Sequence, residues 1–451
     1  MERYNIREIA TEILLGVEKG EFVTDLINKY GKKLNNKESG LLYDLVYGTL
    51  RYRIYIDKII EKYSSIPLKR LEKLIIIALR IGVYQFLIRG EPDYASVDSV
   101  VSTVSGKKRK AFVNALMRKI VSISDFTDIL PDRDKNPVEY LSVKYSEDTI
   151  FTDEMLKFLG LDSSEKVMKY LNKVPNTFIR VNKNITNYEE VMRLLLRENI
   201  RLKPVVGFID FLYSDTNIRG LFDTDTFKSG YITVLDISQG IAPLIASKIG
   251  GNIIGDLCSG PGGKALYMSD LMGEKVSIIS IDMSVDKINL MKENIKRMKN
   301  RNIYGVCSDL KDIKTELFDI AILDVPCSNS GNFGKHPEAR YRLNRLKLTE
   351  LVSYQRELFE SAISLVKKGG FLLYCTCSIM PSECHLLIES EIAKNKNLEP
   401  VDFKSDDRFT EILNNGDFVI NKYGIYVMPY SFKNVISGGG FVSVIKRAKS
   451  Q

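Results

Sequence analysis

Six cysteines, and the spacing of three of them, are the first residues here that could do chemistry. Residues 372–385 read LLYCTCSIMPSECH. Cys375 and Cys377 stand one residue apart at the end of an apolar run, and Cys384 follows with His385 beside it. A second apolar run ends in DVPCSNSG (324–331), which puts Cys327 in a polar turn. Disulfide, metal site, reactive thiolate and packing all have to be weighed. Six cysteines in 451 residues do not make a disulfide scaffold. Zinc would take Cys375, Cys377, Cys384 and His385, but C-x-C-x6-C-H lacks the usual C-x2-C spacing, so no metal is expected. A thiolate is a strong carbon nucleophile whose reactivity follows its local pKa. Cys327 and Cys377 both sit where an apolar run gives way to a turn, and both can face one cleft. Cys258, Cys307 and Cys384 read as small apolar fillers.

A glycine-rich turn is the second chemical signal. GDLCSGPGGKA (255–265) follows an apolar run and opens onto a helical pattern. Such a turn lets the backbone approach a ligand closely and puts that ligand near a helix N-terminus. It is not the G-x-G-x-x-G of a nicotinamide-dependent oxidoreductase. Nor is it a Walker loop, because Lys264 is followed by Ala265 rather than Ser or Thr. Asp282, Asp309 and Asp324 then follow in order, each reading as the end of a strand. Ligands of open α/β sheets bind at the carboxyl ends of the strands. One carboxylate there can accept both hydroxyls of a ribose, and another can reach an adenine amine. An adenosine-bearing cofactor is therefore expected. Any one of these aspartates reads equally well as a helix cap; three in series behind a glycine loop favour the cofactor.

Such groups need a sheet to position them. Strands are predicted at NIIGDL (252–257), VSIISID (276–282), NIYGVCSD (302–309), FDIAILD (318–324), GFLLYCT (370–376) and GFVSVIK (440–446). Helical runs lie between several of them, including Ser284–Met298 and Leu348–Lys367. From about residue 228 the pattern predicts an α/β domain with a mostly parallel sheet covered on both faces. Residues 1–122 read as all helix, with LEKLIIIALRIGVYQFL (71–87) too apolar for a surface helix and placed in the middle of a bundle. Residues 123–140 read as a linker, with two prolines among Asp, Ser and Asn. Residues 141–227 form a small mixed region, with a strand at NTFIRVN (176–182) and a helix at Tyr188–Arg197.

Charge separates the ends of the chain. Residues 1–122 carry 22 Lys and Arg against 14 Asp and Glu, while the rest is balanced at 43 of each, so the whole net charge of +8 lies in the first quarter. A basic helical module, with Lys107-Lys108-Arg109-Lys110 clustered, favours a polyanionic partner. No apolar run approaches the ~18–20 residues of a membrane helix. The charged, amphipathic start has no signal-peptide core. A cytoplasmic protein without membrane contact is expected, and a monomer.

The motifs DLCSGPGGKA, DVPCSNSG and YCTCSIMPSE, in this order, resemble those of S-adenosylmethionine-dependent RNA 5-methylcytosine methyltransferases. FIRVN (178–182) resembles the start of their RNA-binding subdomain, and GYITVLDISQ (230–239) the entry to their catalytic domain. LVYGTLRYR (45–53), LRIGVYQFL (79–87) and AFVNALMRKI (111–120) resemble the NusB-type helical RNA-binding domain. The combination is similar to the bacterial 16S rRNA cytosine-5 methyltransferases of the RsmB/Sun/Fmu family. It departs from the family pattern at Ser259-Gly260, Leu235-Asp236, Lys335-His336-Pro337-Glu338 and Gly439-Gly440-Phe441-Val442.

The resemblance implies a multidomain architecture. An all-α NusB-like domain (1–122) and a linker (123–140) precede a small α+β RNA-binding subdomain (141–227). A Rossmann-like class I methyltransferase domain (228–451) follows. It implies that S-adenosylmethionine lies on Cys258, Ser259, Gly260, Pro261, Gly262, Gly263 and Lys264, with Asp282, Asp309 and Asp324. It implies that Cys377 attacks C6 of a cytosine, that Cys327 assists product release, and that Asp324, oriented by Lys264, stabilises the adduct. The partner it implies is 16S ribosomal RNA or a small-subunit assembly intermediate. The same chemistry on transfer RNA or another rRNA site remains open. So does a non-catalytic RNA-binding factor of antitermination type, although the cysteines, Asp324 and the glycine loop are all intact.

Overall fold

A computed structural model describes residues 5–31, 34–216, 218 and 220–449; Met1–Tyr4 of the amphipathic start lie outside the described residues. The chain divides into two compact units. One holds the residues up to Asn172 together with His336–Arg342, and the other holds Lys173–Lys335 with the residues from Leu343 onward.

The first unit is helical. Its elements include Ile6–Glu18, Asn36–Arg51, Arg53–Tyr63, Lys73–Leu87, Asp93–Val101 and Lys107–Val121, then Pro137–Tyr145, Thr149–Leu159 and Leu161–Leu171. Helix Asn36–Arg51 starts on a capping box: the Glu38 N–H donates to the Asn35 side chain, and the Asn35 N–H donates to the Glu38 carboxylate. Lys73–Leu87 buries Ile75, Ile77, Ala78, Leu79, Ile81, Val83 and Tyr84, which puts it in the middle of the bundle as its composition predicts. Residues 123–140 carry a 3-10 turn at Thr127–Ile129, and Phe126 is buried in the same core.

The segment His336–Arg342 comes from far along the sequence and is anchored here by a buried arginine. Arg340 is fully buried. It donates to the carbonyls of Arg51 (3.1 Å), Tyr145 (3.2 Å) and Leu171 (3.0 Å) and to Asn172 Oδ1 (2.7 Å), and it pairs with Glu147 at 3.1 Å. Removing Arg340 leaves Glu147, which burial pushes up to about 8 against the pull of that arginine, and the four oxygen acceptors without their donor, at a cost of about 3–5 kcal/mol. Arg340→Ala should therefore lower the melting temperature by roughly 5–10 °C in a thermal scan. His336 stands in this segment, 3.6 Å from Glu338.

The second unit contains two sheets. The smaller is antiparallel, in the order β2-β3-β1-β4, with β1 at Thr177–Val181, β2 at Lys203–Val205, β3 at Phe208–Ser214 and β4 at Ile232–Val234. Helix Tyr188–Arg197 packs Val191 and Leu195 into its core with Ile179, Val181 and Leu212. The larger sheet contains β5 (Ile253–Leu257), β6 (Ser277–Asp282), β7 (Ile303–Cys307), β8 (Phe318–Asp324), β9 (Val366–Thr376), β10 (Leu398–Pro400), β11 (Val419–Asn421), β12 (Gly424–Val427) and β13 (Gly440–Arg447). Its order is β11-β12-β13-β9-β8-β5-β6-β7, with β10 beside β13.

From β5 to β9 every pairing is parallel, and the inner strands β5, β6 and β8 are rich in Ile and Leu, as strands covered on both faces are, while the edge strand β7 is half exposed. Beyond β9 the mostly parallel expectation fails. β13 runs antiparallel, Phe441 opposite Thr376, because it returns from β12 through residues 428–439 without a crossover helix. The third predicted strand also stops early, at Cys307 rather than Asp309.

Candidate active site

The large sheet reverses its build direction at β5, whose neighbours are β6 on one side and β8 on the other. Crevices at such a point, outside the carboxyl ends of the strands, bind ligands. The glycine loop leaves β5 here, Asp282 ends β6, Asp324 ends β8, and the Cys377 turn leaves β9.

The loop is shaped by backbone that most side chains avoid. Cys258 has φ of 60° and Gly262 of 95°. Gly262 then stands before helix Gly263–Met272, whose first-turn N–H groups have no carbonyl behind them. Lys264, on that first turn, is buried. Its ammonium donates to Asp324 Oδ2 at 2.5 Å and to Gln239 Oε1 at 2.5 Å. Burial alone would lower the Lys264 pKa; Asp324, with help from Cys375 and Asp256, overrides this and holds it raised. Asp256, fully buried in β5, has a carboxyl with no hydrogen bond of ordinary geometry. Burial pushes it up to about 8, against the pull of Lys264 and with a push from Asp324. Asp324, which Lys264 contacts directly, is the carboxylate that the lysine orients.

Asp282 is held in place by the loop and by its own turn. It accepts from the Gly260 N–H at 3.0 Å and the Ser284 N–H at 2.9 Å, with Lys287 Nζ at 3.4 Å. Asp309 lies two residues past β7 and accepts from the Lys311 N–H at 3.0 Å, so it caps the 3-10 turn Leu310–Asp312.

The two cysteine turns meet. β8 and β9 are parallel neighbours with Asp324 opposite Cys375, and the thiols of Cys327 and Cys377 lie 2.9 Å apart. Cys377 Sγ is also 3.2 Å from Asn329 Oδ1. Gly331 allows the approach: a Cβ there would fall 2.4 Å from the Gly439 carbonyl oxygen and 2.7 Å from that of Cys377. The hydrogen bond shared with Cys327, then burial, push the Cys377 thiol well above the ordinary range. Iodoacetamide should thus modify Cys377 slowly at pH 7 and roughly tenfold faster per pH unit toward pH 9. Cys327→Ala, which removes the first of these causes, should speed the modification at fixed pH. Peptide mapping by mass spectrometry reads both effects.

The other cysteines separate from this pair. Cys375 is buried with its thiol toward the Leu323 carbonyl at 3.5 Å, and Cys384 is buried near the Ser378 carbonyl at 3.4 Å. Both are buried fillers, Cys384 as expected. Cys307 is not: it is exposed, because β7 is the edge strand. His385 turns to the Tyr426 hydroxyl at 2.6 Å. Among the described residues no three His, Cys, Asp or Glu side chains converge to hold a metal.

Sequence reasoning missed the polar support beneath the thiols. Glu383, Gln355 and Ser378, all buried, form one hydrogen-bond network there with the half-buried Ser328, and Gln239 holds Lys264 from behind. The available signal was the repeated Cys-Ser pair, at 327–328 and 377–378, with Glu383 five residues beyond the second.

Comparison with known proteins bears on the domains that carry this arrangement. Residues 245–421 match the family described as 16S rRNA methyltransferase RsmB/F, and residues 4–122 match the NusB family. The chain carries an RsmB/F-type methyltransferase domain behind a NusB-type domain. It is 26% identical over 425 residues to a probable ribosomal RNA small subunit methyltransferase B of Bacillus subtilis, covering 91% of this chain and 93% of the relative. It is 26% identical over 413 residues to ribosomal RNA small subunit methyltransferase B of Yersinia enterocolitica, covering 88% and 92%. The crystal structure of PH0851 superposes with a TM-score of 0.76 at 25% identity, covering 98% of both chains. NSun6 from Pyrococcus horikoshii, solved with SFG, shares the fold at a TM-score of 0.56 and 18% identity, covering 66% of this chain and 97% of that one.

With that domain, and with small subunit methyltransferases as relatives over most of its length, the chain is an S-adenosylmethionine-dependent RNA methyltransferase. The loop fits that cofactor on its own electrostatics. Burial pushes the Cys258 thiol up to about 12, and the carboxylates of Asp324, Asp282 and Asp256 push it in the same direction. Several carboxylates thus act on one point of the loop, and a sulfonium cation is a group that such a field stabilises. No helix among the described residues is long and apolar enough to cross a membrane.

Proposed function

We propose that this protein methylates C5 of a cytosine in 16S ribosomal RNA through a covalent cysteine adduct. The observation that carries the reading is the pair of thiols 2.9 Å apart, at the ends of adjacent strands, beside the Lys264–Asp324 ion pair. C5 of cytosine is a poor nucleophile until a group adds to C6. The Cys377 thiolate adds there and makes C5 enamine-like. Asp324, its Oδ2 fixed by Lys264 and its side chain still 29% exposed, faces N3 and the exocyclic amine and stabilises the adduct. S-adenosylmethionine supplies the methyl group, held by the loop from Cys258 to Lys264 with Asp282 and Asp309. Cys327 then takes the C5 proton, directly or through water, and Cys377 leaves as C5–C6 unsaturation returns.

A base inside a stem cannot reach a thiol at the bottom of a crevice. The substrate base is therefore one that can unstack, in a loop or a melted helix of the rRNA or of a small-subunit assembly intermediate. The basic NusB-like helices of 1–122 and the small region 141–227 supply phosphate contacts and register, while 228–451 performs the chemistry as a monomer in the cytoplasm.

The test is chemical. The protein is incubated with labelled S-adenosylmethionine and unmodified small-subunit rRNA, and the nucleosides are resolved by mass spectrometry. Label in 5-methylcytidine at one site is the expected result. Label in a ribose-methylated or N4-methylated nucleoside, or in transfer RNA alone, would overturn the reading.

A further inference from the structure

Glu383 is a carboxylate placed under both cysteine turns. It is fully buried in the 3-10 turn Pro381–Glu383, with no exposed surface. Its Oε1 accepts from the Ser328 N–H at 2.8 Å and from Gln355 Nε2 at 2.9 Å; its Oε2 accepts from the Ser378 hydroxyl at 2.5 Å and from the Ser328 hydroxyl. A carboxylate has about four lone-pair sites, and here all are used. Gln355, on helix Arg345–Leu365, also donates to the Pro326 carbonyl at 2.9 Å. Ser328 follows Cys327 and Ser378 follows Cys377, so one side chain holds the C-terminal neighbour of each thiol.

The donor directions are consistent along the network. The Ile379 N–H donates to Ser330 Oγ at 2.9 Å, the Ser330 hydroxyl lies 2.9 Å from Ser378 Oγ, and the Met380 N–H donates to Ser378 Oγ at 3.0 Å. The Glu383 carboxylate has no hydrogen to give, so the Ser378 hydroxyl donates to it, and the Ser330 hydroxyl is left to donate to Ser378. A buried carboxylate without a cation is costly unless donors surround it. This network meets that need and brings two loops to one point to do so.

We propose that Glu383 is a positioning residue that sets the register of Cys327 against Cys377, so that addition and release occur on one base without rearrangement of either loop. The inference rests on the cytosine-5 reading above, and it extends that reading to a residue that touches neither RNA nor cofactor.

Two readouts test it on the full-length protein. Glu383→Gln keeps the shape but presents an NH2 group to donors, which breaks the network. It should lower kcat by roughly 30-fold or more while the Kd for S-adenosylmethionine moves by less than about twofold. The second readout needs no methyl transfer. Diamide takes two electrons and two protons from the thiol pair, its N=N becoming a hydrazine as the S–S bond forms. Disulfide formation between Cys327 and Cys377 should be at least about tenfold slower in Glu383→Gln. A kcat within threefold of the parent, or an unchanged cross-linking rate, would overturn the inference. If Glu383→Gln does not fold, single hydroxyl deletions decide. Ser378→Ala should slow adduct formation, and Ser328→Ala should slow adduct breakdown so that RNA-linked protein accumulates. Equal effects of both on both steps, or none on either, would overturn it. An unmodified protein that makes no 5-methylcytidine in the same assay would sink the cytosine-5 reading instead, and the diamide result would still stand.

Discussion

A Cys377→Ala variant is expected to lose methyl transfer by at least roughly 10⁴-fold, while Cys327→Ala is expected to accumulate protein covalently linked to RNA. The asymmetry follows from the order of events rather than from geometry, because the thiols lie 2.9 Å apart and either could reach a base in the crevice. Without the attacking thiol the ring is never activated, so nothing is trapped. Without the releasing thiol the adduct forms and the methyl group is transferred, but the C5 proton stays and Cys377 cannot leave. A denaturing gel after incubation with S-adenosylmethionine and small-subunit rRNA reads both outcomes. A slower-migrating band with Cys327→Ala and its absence with Cys377→Ala would fix the roles. The reverse pattern would exchange them.

The raised pKa of Cys377 bears on the same experiment. Its two leading causes are the hydrogen bond to Cys327 and burial, with Asp324 adding to them. Removing Cys327 takes away the first, so the variant that traps should also attack more readily at neutral pH. The yield of trapped RNA should then rise with pH less steeply in Cys327→Ala than turnover does in the parent, which the same gel run between pH 6.5 and 9 would show.

Much of this site was legible in the sequence because its parts lie at strand ends. A run such as FDIAILD announces both a buried strand and the aspartate that leaves it, and strand order at the carboxyl edge brings such residues together. Cys327, Cys377, Asp324, Asp282 and the glycine loop meet for this reason. Asp309 shows the limit: β7 stops two residues short of it, and the side chain caps a turn as any aspartate after a strand can. Cys307 was misread because nothing in NIYGVCSD marks β7 as the edge strand, and that depends on pairings made elsewhere. The antiparallel β13 was hidden likewise, since GFVSVIK reads the same in either direction of pairing. The anchoring of His336–Arg342 in the helical unit was the least legible. It depends on a buried arginine whose partners, Arg51, Tyr145, Glu147, Leu171 and Asn172, lie at least 160 residues away in sequence. Glu383 was missed for the same reason at shorter range, since a carboxylate in a Ser- and Pro-containing turn usually faces water.

The Lys264–Asp324 pair carries the second large effect. Asp324→Asn should lower kcat/KM by roughly 10³-fold, and Lys264→Met by roughly 10²-fold or more. These losses should not add. Lys264 acts through Asp324: its ammonium lies 2.5 Å from Oδ2, in direct contact. Once Asp324 is amidated, the ammonium has no oriented carboxylate to fix, so the double variant should be no slower than Asp324→Asn within about threefold. A double-mutant cycle on methyl transfer measures the coupling, and the Kd for S-adenosylmethionine, measured in parallel, separates a second effect. Lys264 also lies in the first turn of the helix behind the glycine loop, so Lys264→Met should weaken cofactor binding only if that turn shifts. A cycle whose losses multiply would mean that Lys264 serves the cofactor alone, and that Asp324 is oriented by the β8 backbone and its neighbours without it. A cycle that closes on the Asp324→Asn value would make the ion pair one functional unit, with the lysine supplying direction and the aspartate the contact to the base.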